Sequence, residues 1–216
     1  MNKFSTLFLL LTATLLISCS DDDEQTEIAE NEANYYALSV GNSWTYNVYR
    51  YNISSMEYEA QDFLVTGTIT DTETINGETY YKFESTLIGE GTCDICLNVI
   101  GNKSLRDSLG YLIDSNGVPI FTKETTEPYL VRVEQFGEVY GEYDATINAV
   151  ETPLGEFENV DYNKSYAILE DGSISAGTEK MYYRDGEGLQ VRVISLVSSP
   201  DPFYMFALAE STIVEN

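Results

Sequence analysis

The run from Phe63 to Ser85, FLVTGTITDTETINGETYYKFES, constrains the fold more than any other stretch. Its first arm, Phe63 to Ile75, is rich in β-branched residues and alternates; its second arm follows Glu78. Between them stand Asn76 and Gly77, and both residue types accept the positive φ of a type I′ turn, so the stretch predicts a β-hairpin. The pattern recurs. YLIDSNGVPIF predicts a hairpin turning at Asp114 to Gly117, and YAILEDGSIS one turning at Asp171 and Gly172. SWTYNVYRY, from Ser43, alternates Trp44, Tyr46 and Val48 with polar neighbours. Further strands are predicted at Leu97 to Ile100, Tyr129 to Glu134, Glu142 to Glu151, Glu156 to Ile168, Glu179 to Arg184 and Leu189 to Val197. A closing strand is predicted at Phe203 to Val214, after the breaker SSPDP. No window holds a helical period over eleven or more residues; only Asn102 to Leu109 reads as a short helical turn. Many short strands with regular turn signals predict an all-β chain, a single antiparallel curved sheet, half-barrel or sandwich-like, with little helix outside a signal peptide.

The amino terminus predicts an address. Lys3 is the only charged residue before Asp21, and an apolar stretch runs from Leu7 to Leu11 and again from Leu15 to Ile17. This is the layout of a secretory signal. It is short for a transmembrane anchor, which needs about 20 apolar residues. LISC, Leu16 to Cys19, resembles the lipobox of bacterial lipoproteins. The resemblance implies cleavage before Cys19 and a diacylglyceryl group on its thiol, hence a stable membrane anchor, since two or more chains hold where one does not. From Ser20 to Ala33 there are seven acids and no base, a run that repels itself and stays extended. The serine followed by acids resembles the surface-export signal of Bacteroidota lipoproteins; a plain solvated spacer is the competing reading. The expected organisation is a signal peptide over 1–18, an acidic tether over 19–34 and a β-domain over 35–216.

Charge and composition exclude several functions. The chain carries 11 Lys and Arg against 36 Asp and Glu, a net charge of −25, which argues against nucleic acid as a partner. It has no histidine, so it lacks the commonest general base and the commonest metal ligand. No catalytic, cofactor-binding or metal residue is assigned, and no cofactor is expected. CDIC, Cys93 to Cys96, is a candidate disulfide, because an exported compartment is oxidising. The short loop it closes implies a small stabilisation. A redox role needs a βαβ setting, and a zinc site needs two further ligands. DSNG and EDG hold oxygen ligands but no twelve-residue calcium loop follows, so they read as turns.

VGNSWTY (Val40 to Tyr46), TPLGEFENV (Thr152 to Val160) and YYRDGEGLQVRV (Tyr182 to Val193) resemble, in order, three motifs of Bacteroidota lipoproteins of unknown function. The resemblance implies a membrane-anchored β-domain and no activity. The chain departs from that pattern at Glu187, where an apolar residue is usual. Gly186 and Gly188 suit a bulge or tight bend, and Trp44 suits the core. DGEG lacks the third glycine and the following helix of a nucleotide fingerprint.

The 17 tyrosines and 9 phenylalanines suit sugar or lipid binding, although half of them in alternating strands face a core in any case. The expected function is a lipid-anchored outer-membrane or cell-surface lipoprotein, with the periplasmic face as the alternative location. It binds an apolar or glycan ligand, or a protein partner in the envelope, and is not an enzyme. The rivals are an interaction lipoprotein without a pocket and a carboxylate-pair hydrolase, which needs two acids about 5 to 9.5 Å apart in a cleft.

Overall fold

The computed structural model describes residues 34–93, 95–97 and 101–214. The signal peptide, Cys19 and all of the tether but Asn34 lie outside the described residues.

The chain is all-β. Twelve strands form one antiparallel sheet in the order β6-β5-β4-β3-β2-β1-β14-β13-β12-β11-β8-β7, and β9 and β10 pair separately. The strands are β1 Ser43–Asn52, β2 Glu57–Ile75, β3 Glu78–Gly89, β4 Lys103–Ser108, β5 Tyr111–Asp114, β6 Pro119–Thr122 and β7 Tyr129–Glu134. They continue with β8 Gly137–Tyr143, β9 Ala149–Thr152, β10 Gly155–Glu158, β11 Asp161–Leu169, β12 Glu179–Arg184, β13 Gly188–Ser195 and β14 Pro202–Thr212. The β2–β3 turn holds Asn76 at φ 56° and Gly77 at φ 88°, the type I′ geometry that the Asn-Gly pair specifies.

The two ends of the sheet order, β6 and β7, are joined by residues 123–128 and meet without a ladder. Side chains span the gap. Asn163 on β11 donates from Nδ2 to Thr122 O on β6 at 3.1 Å and to the Tyr129 hydroxyl on β7 at 2.8 Å. The Tyr111 and Tyr129 rings meet edge to face, 6.1 Å apart. Val118 packs against Val131, Val139 and Ala167 at the same seam. The curved sheet is therefore nearly closed, which removes most of its exposed edge.

Pleat alternation sorts side chains into two cores. The inner one collects Trp44, Tyr46 and Val48 from β1, Phe63, Val65 and Ile69 from β2, Leu105 and Leu112 from β4 and β5, and Met181, Tyr183, Leu189 and Phe206 from the far wall. Tyr35, Tyr36, Ala37 and Leu38 enter this core from the amino-terminal side. The Tyr36 hydroxyl donates to Gly110 O at 2.6 Å, and Gly186 N donates to Tyr35 O at 3.0 Å. The outer core lies on the convex face, where Tyr49, Tyr162, Tyr182, Val191, Val193 and Met205 are covered by Ile147, Val150 and Phe157 of the β9–β10 region.

The structure corrects four predicted elements. Lys103–Ser108 within Asn102–Leu109 is strand β4, not a helical turn: Leu105 is buried between neighbours on β3 and β5, and the ladder overrides a short charged segment with no period of its own. Ile95–Leu97 is a helical turn, so Leu97 does not start a strand; residues 98–100 lie outside the described residues. The predicted strand Glu142–Glu151 breaks after Tyr143, because the Asp144 carboxylate accepts Thr146 N at 2.9 Å and forms a turn. Glu156–Ile168 breaks at Asn159, which sits at φ 56°. The Asp171–Gly172 turn forms as expected, with Gly172 N donating to Leu169 O at 2.8 Å, but its second arm makes only the Ile168–Ile174 bridge.

Candidate functional site

Two concave sites stand out. The first is a cleft of about 330 Å³ at the tips of the β1–β2 and β13–β14 hairpins. Arg50, Tyr51, Asn52 and Glu59 come from β1 and β2, while Leu196, Asp201 and Phe203 come from the other hairpin. The Asn52–Glu57 and Ser195–Pro202 pairs close the two hairpins, and the β1–β14 ladder, with Arg50 opposite Tyr204, brings their tips together. Inside the cleft the Arg50 guanidinium lies 5.6 Å above the Phe203 ring, which fixes the face that the ring presents. Asn52 Nδ2 donates to Glu59 Oε1 at 2.6 Å, and Tyr51 packs edge to face on Tyr58 at 5.2 Å. Exposed Ile53, Met56 and Leu196 flank the opening. The cleft therefore combines aromatic faces with a cation, an amide and two carboxylates.

The second site is a slot in the inner core, with room of about 40 Å³. Trp44, Leu105, Leu112 and Leu189 wall it, and Lys103 and Arg192 are its only charged lining residues. Three polar tips in its wall are already engaged: Trp44 Nε1 donates to Glu187 O at 2.7 Å, the Tyr46 hydroxyl to Leu189 O at 2.8 Å, and Tyr36 as given above. Gly188, at φ +80°, lets the indole approach; a Cβ there meets it at 3.1 Å. Trp44 thus fills the core as the sequence suggests. Arg192 forms an ion pair with Glu179. Burial of the ammonium end, then the Arg192 charge, holds Lys103 below the ordinary lysine range, although the residue as a whole is exposed. The chain's departure at Glu187 leaves that residue at an exposed turn, where it pairs with Arg184 at 2.9 Å.

A third cluster is structural. Asp161 accepts hydrogen bonds from Tyr35 at 2.6 Å and Tyr143 at 2.8 Å, with Lys123 at 3.9 Å. Burial, then the Asp161 bond, pushes the Tyr143 hydroxyl up to about 12. The sulfurs of Cys93 and Cys96 are bonded, with Cα atoms 5.2 Å apart. The pair is set by a turn in which Cys96 N donates to Cys93 O at 3.0 Å, and Cys96 is fully buried in the inner core. Among the described residues no group of three or more Asp, Glu or Cys is placed to hold a metal ion, and no helix is long and apolar enough to cross a membrane.

The cleft residues escape a sequence reading. Arg50 and Tyr51 read as the end of a strand and SSPDP as a breaker. Some 140 residues of chain, counted from Asn52 to Leu196, separate the two tips, and no local pattern spans that distance.

No protein-family model matches the chain, and no curated protein matches it. Two solved structures do. One, from Bacteroides fragilis, is described as an exported protein with a YmcC-like fold; it is 10% identical with a TM-score of 0.46, over 82% of this chain and 98% of that one. The other, from Parabacteroides distasonis, is described as a lipoprotein; it is 10% identical with a TM-score of 0.38, over 82% of this chain and 99% of that one. At these scores neither likeness supports a statement about this chain's activity.

Proposed function

We propose that this is a lipid-anchored protein of the outer membrane, facing the cell surface, and that its hairpin-tip cleft binds a glycan without cleaving it. The anchor reading rests on the lipobox at Cys19 and the acidic run behind it. The glycan reading rests on one observation: Tyr51 and Phe203 share the cleft with Arg50, Asn52, Glu59 and Asp201. Sugars stack their apolar faces on aromatic rings and bond their hydroxyls to planar polar groups, so they need both in one place. The volume falls within the range of small-molecule sites. The inner slot, about 40 Å³, holds roughly three waters and leaves no room for a buried lipid, so the apolar-carrier version of the function loses its support.

The cleft lies far from the chain's entry. Eight residue steps along β1 lead from Asn42 to Arg50, roughly 26 Å at the rise of a strand. The tips therefore lie at the opposite end of β1 from Asn42.

A panel of immobilised neutral and acidic oligosaccharides tests the binding. Saturable binding that Phe203→Ala weakens by about tenfold or more supports the reading; binding to none of the panel contradicts it. The hydrolase reading survives as a second one, because Glu59 and Asp201 both line the cleft. Release of reducing ends by the wild type, lost in Glu59→Gln, decides for it. Cys19→Ala tests the anchor: the variant is expected to lose labelled palmitate and to leave the membrane fraction.

A further inference from the structure

We propose that the ligand of the hairpin-tip cleft is a glycolipid, a sugar carrying an alkyl or acyl tail, with the sugar in the cleft and the tail on Ile53, Met56 and Leu196. The proposal rests on the glycan reading and names the class of glycan. The first argument is the composition of the tips. Hairpin loops favour Gly, Asn, Asp and Ser. Here each loop sets an apolar pair beside a serine pair: Ile53 and Met56 enclose Ser54 and Ser55, and Leu196 and Val197 precede Ser198 and Ser199. The apolar side chains are not turned inward, since Ile53 is 65% exposed, Met56 76% and Leu196 50%. Ile53 and Leu196 also line the cleft, so the apolar surface is continuous with the one that holds the sugar.

The second argument is strain. Met56 sits at φ 57°, a left-handed conformation that suits Gly or Asn and strains a longer side chain. The loop is closed without its thioether: Met56 N donates to Asn52 O at 2.8 Å and Ser54 N to Asn52 Oδ1 at 2.9 Å. A flexible apolar side chain kept on a strained backbone and held out to water points to a contact from outside, and methionine suits an alkyl chain. Leu109 shares the conformation, on the β4–β5 turn away from the cleft. The third argument is charge, which selects among apolar partners. The chain carries −25, and Glu57, Glu59 and Asp201 stand at the tips. A second copy would bring like charges together, and an anionic bilayer would repel this face. A neutral tail joined to a sugar meets neither penalty.

The full chain, extracted in a zwitterionic, sugar-free detergent, is titrated with each sugar of the panel as its methyl and its octyl glycoside. Octyl tetraethylene glycol, which has the tail and no sugar, is the third probe. The octyl glycoside is expected to bind about tenfold or more tighter than its methyl counterpart, because each methylene taken from water adds to the affinity. Met56→Asn keeps a residue suited to the positive φ. It is expected to bind the octyl glycoside about fivefold more weakly, with the methyl-glycoside affinity unchanged and the urea midpoint not lowered. Uptake of the tail by the micelle is common to both proteins and cancels between them. Equal affinity for the two glycosides, or an unchanged octyl preference in Met56→Asn, overturns the proposal and leaves the glycan reading standing. Octyl tetraethylene glycol bound as tightly as the octyl glycoside overturns both, because the sugar then contributes nothing; so does binding of no glycoside at all. A dimer in light scattering that Met56→Asn breaks gives the patch to a second copy and overturns the tail assignment.

Discussion

Asn42 ties three distant segments together with one side chain. It is fully buried; its Nδ2 donates to Ala37 O and its Oδ1 accepts Val214 N, each at 2.7 Å. It thereby pins the entering Tyr35–Leu38 segment and the carboxyl-terminal strand to the start of β1. Asn42→Ala leaves Val214 N without its acceptor, while Ala37 O keeps the bond from Ser39 N at 3.1 Å, so the loss is about 1 to 3 kcal/mol in all. Urea denaturation is expected to show a lowered midpoint with an unchanged slope, a loss of about 1 to 3 kcal/mol in stability; a loss under about 0.5 kcal/mol contradicts this role. The buried tyrosines make a second residue-scale prediction. Burial pushes the hydroxyls of Tyr58, Tyr129 and Tyr182 up to about 12. In the unfolded chain they titrate near 10, so between pH 10 and 12 the unfolded state has lost protons that the folded state keeps, and stability falls as pH rises. Below pH 10 these groups leave stability unchanged. Circular dichroism is followed together with absorbance at 295 nm, and the ionisation of these three buried hydroxyls is expected to accompany the loss of the folded signal. Ionisation of these tyrosines near pH 10 in a still-folded chain contradicts the account.

At the scale of elements, local signals located what local chemistry decides. The Asn76–Gly77 hairpin, β7 Tyr129–Glu134 and β12 Glu179–Arg184 form where alternation and turn residues place them. Elsewhere the ladder or a single turn residue overrides the run. Lys103–Ser108 becomes a strand because β3 and β5 pair with it. The expected strand through Asp144 ends because one carboxylate bonds the backbone two residues on. Alternation runs the β9–β10 hairpin into longer strands, and only the outer apolar face it buries, Tyr162, Tyr182 and Val193, explains its place. The Cys93–Cys96 turn carries its own prediction. The bond spans three positions, so the chain-entropy model gives about 2 kcal/mol at most. Reduction is expected to lower stability by no more than that and to leave the sheet's circular dichroism unchanged; collapse of the sheet on reduction contradicts it.

At the scale of the whole molecule, near-closure of the sheet follows from two chain segments rather than from strand pairing alone. Residues 123–128 bring β6 to β7, and the Tyr35–Leu38 segment fills the interior that the curved sheet encloses. Alternation announces an all-β chain, but it carries no register, so neither the seam nor the meeting of the two hairpin tips was legible. That meeting creates the cleft on which the functional account rests. Hydrogen-exchange mass spectrometry, with and without the tightest-binding oligosaccharide of the panel, tests it most directly. The account predicts added protection confined to residues 50–59 and 196–203. Protection elsewhere in the domain, or none at a saturating oligosaccharide concentration, contradicts it.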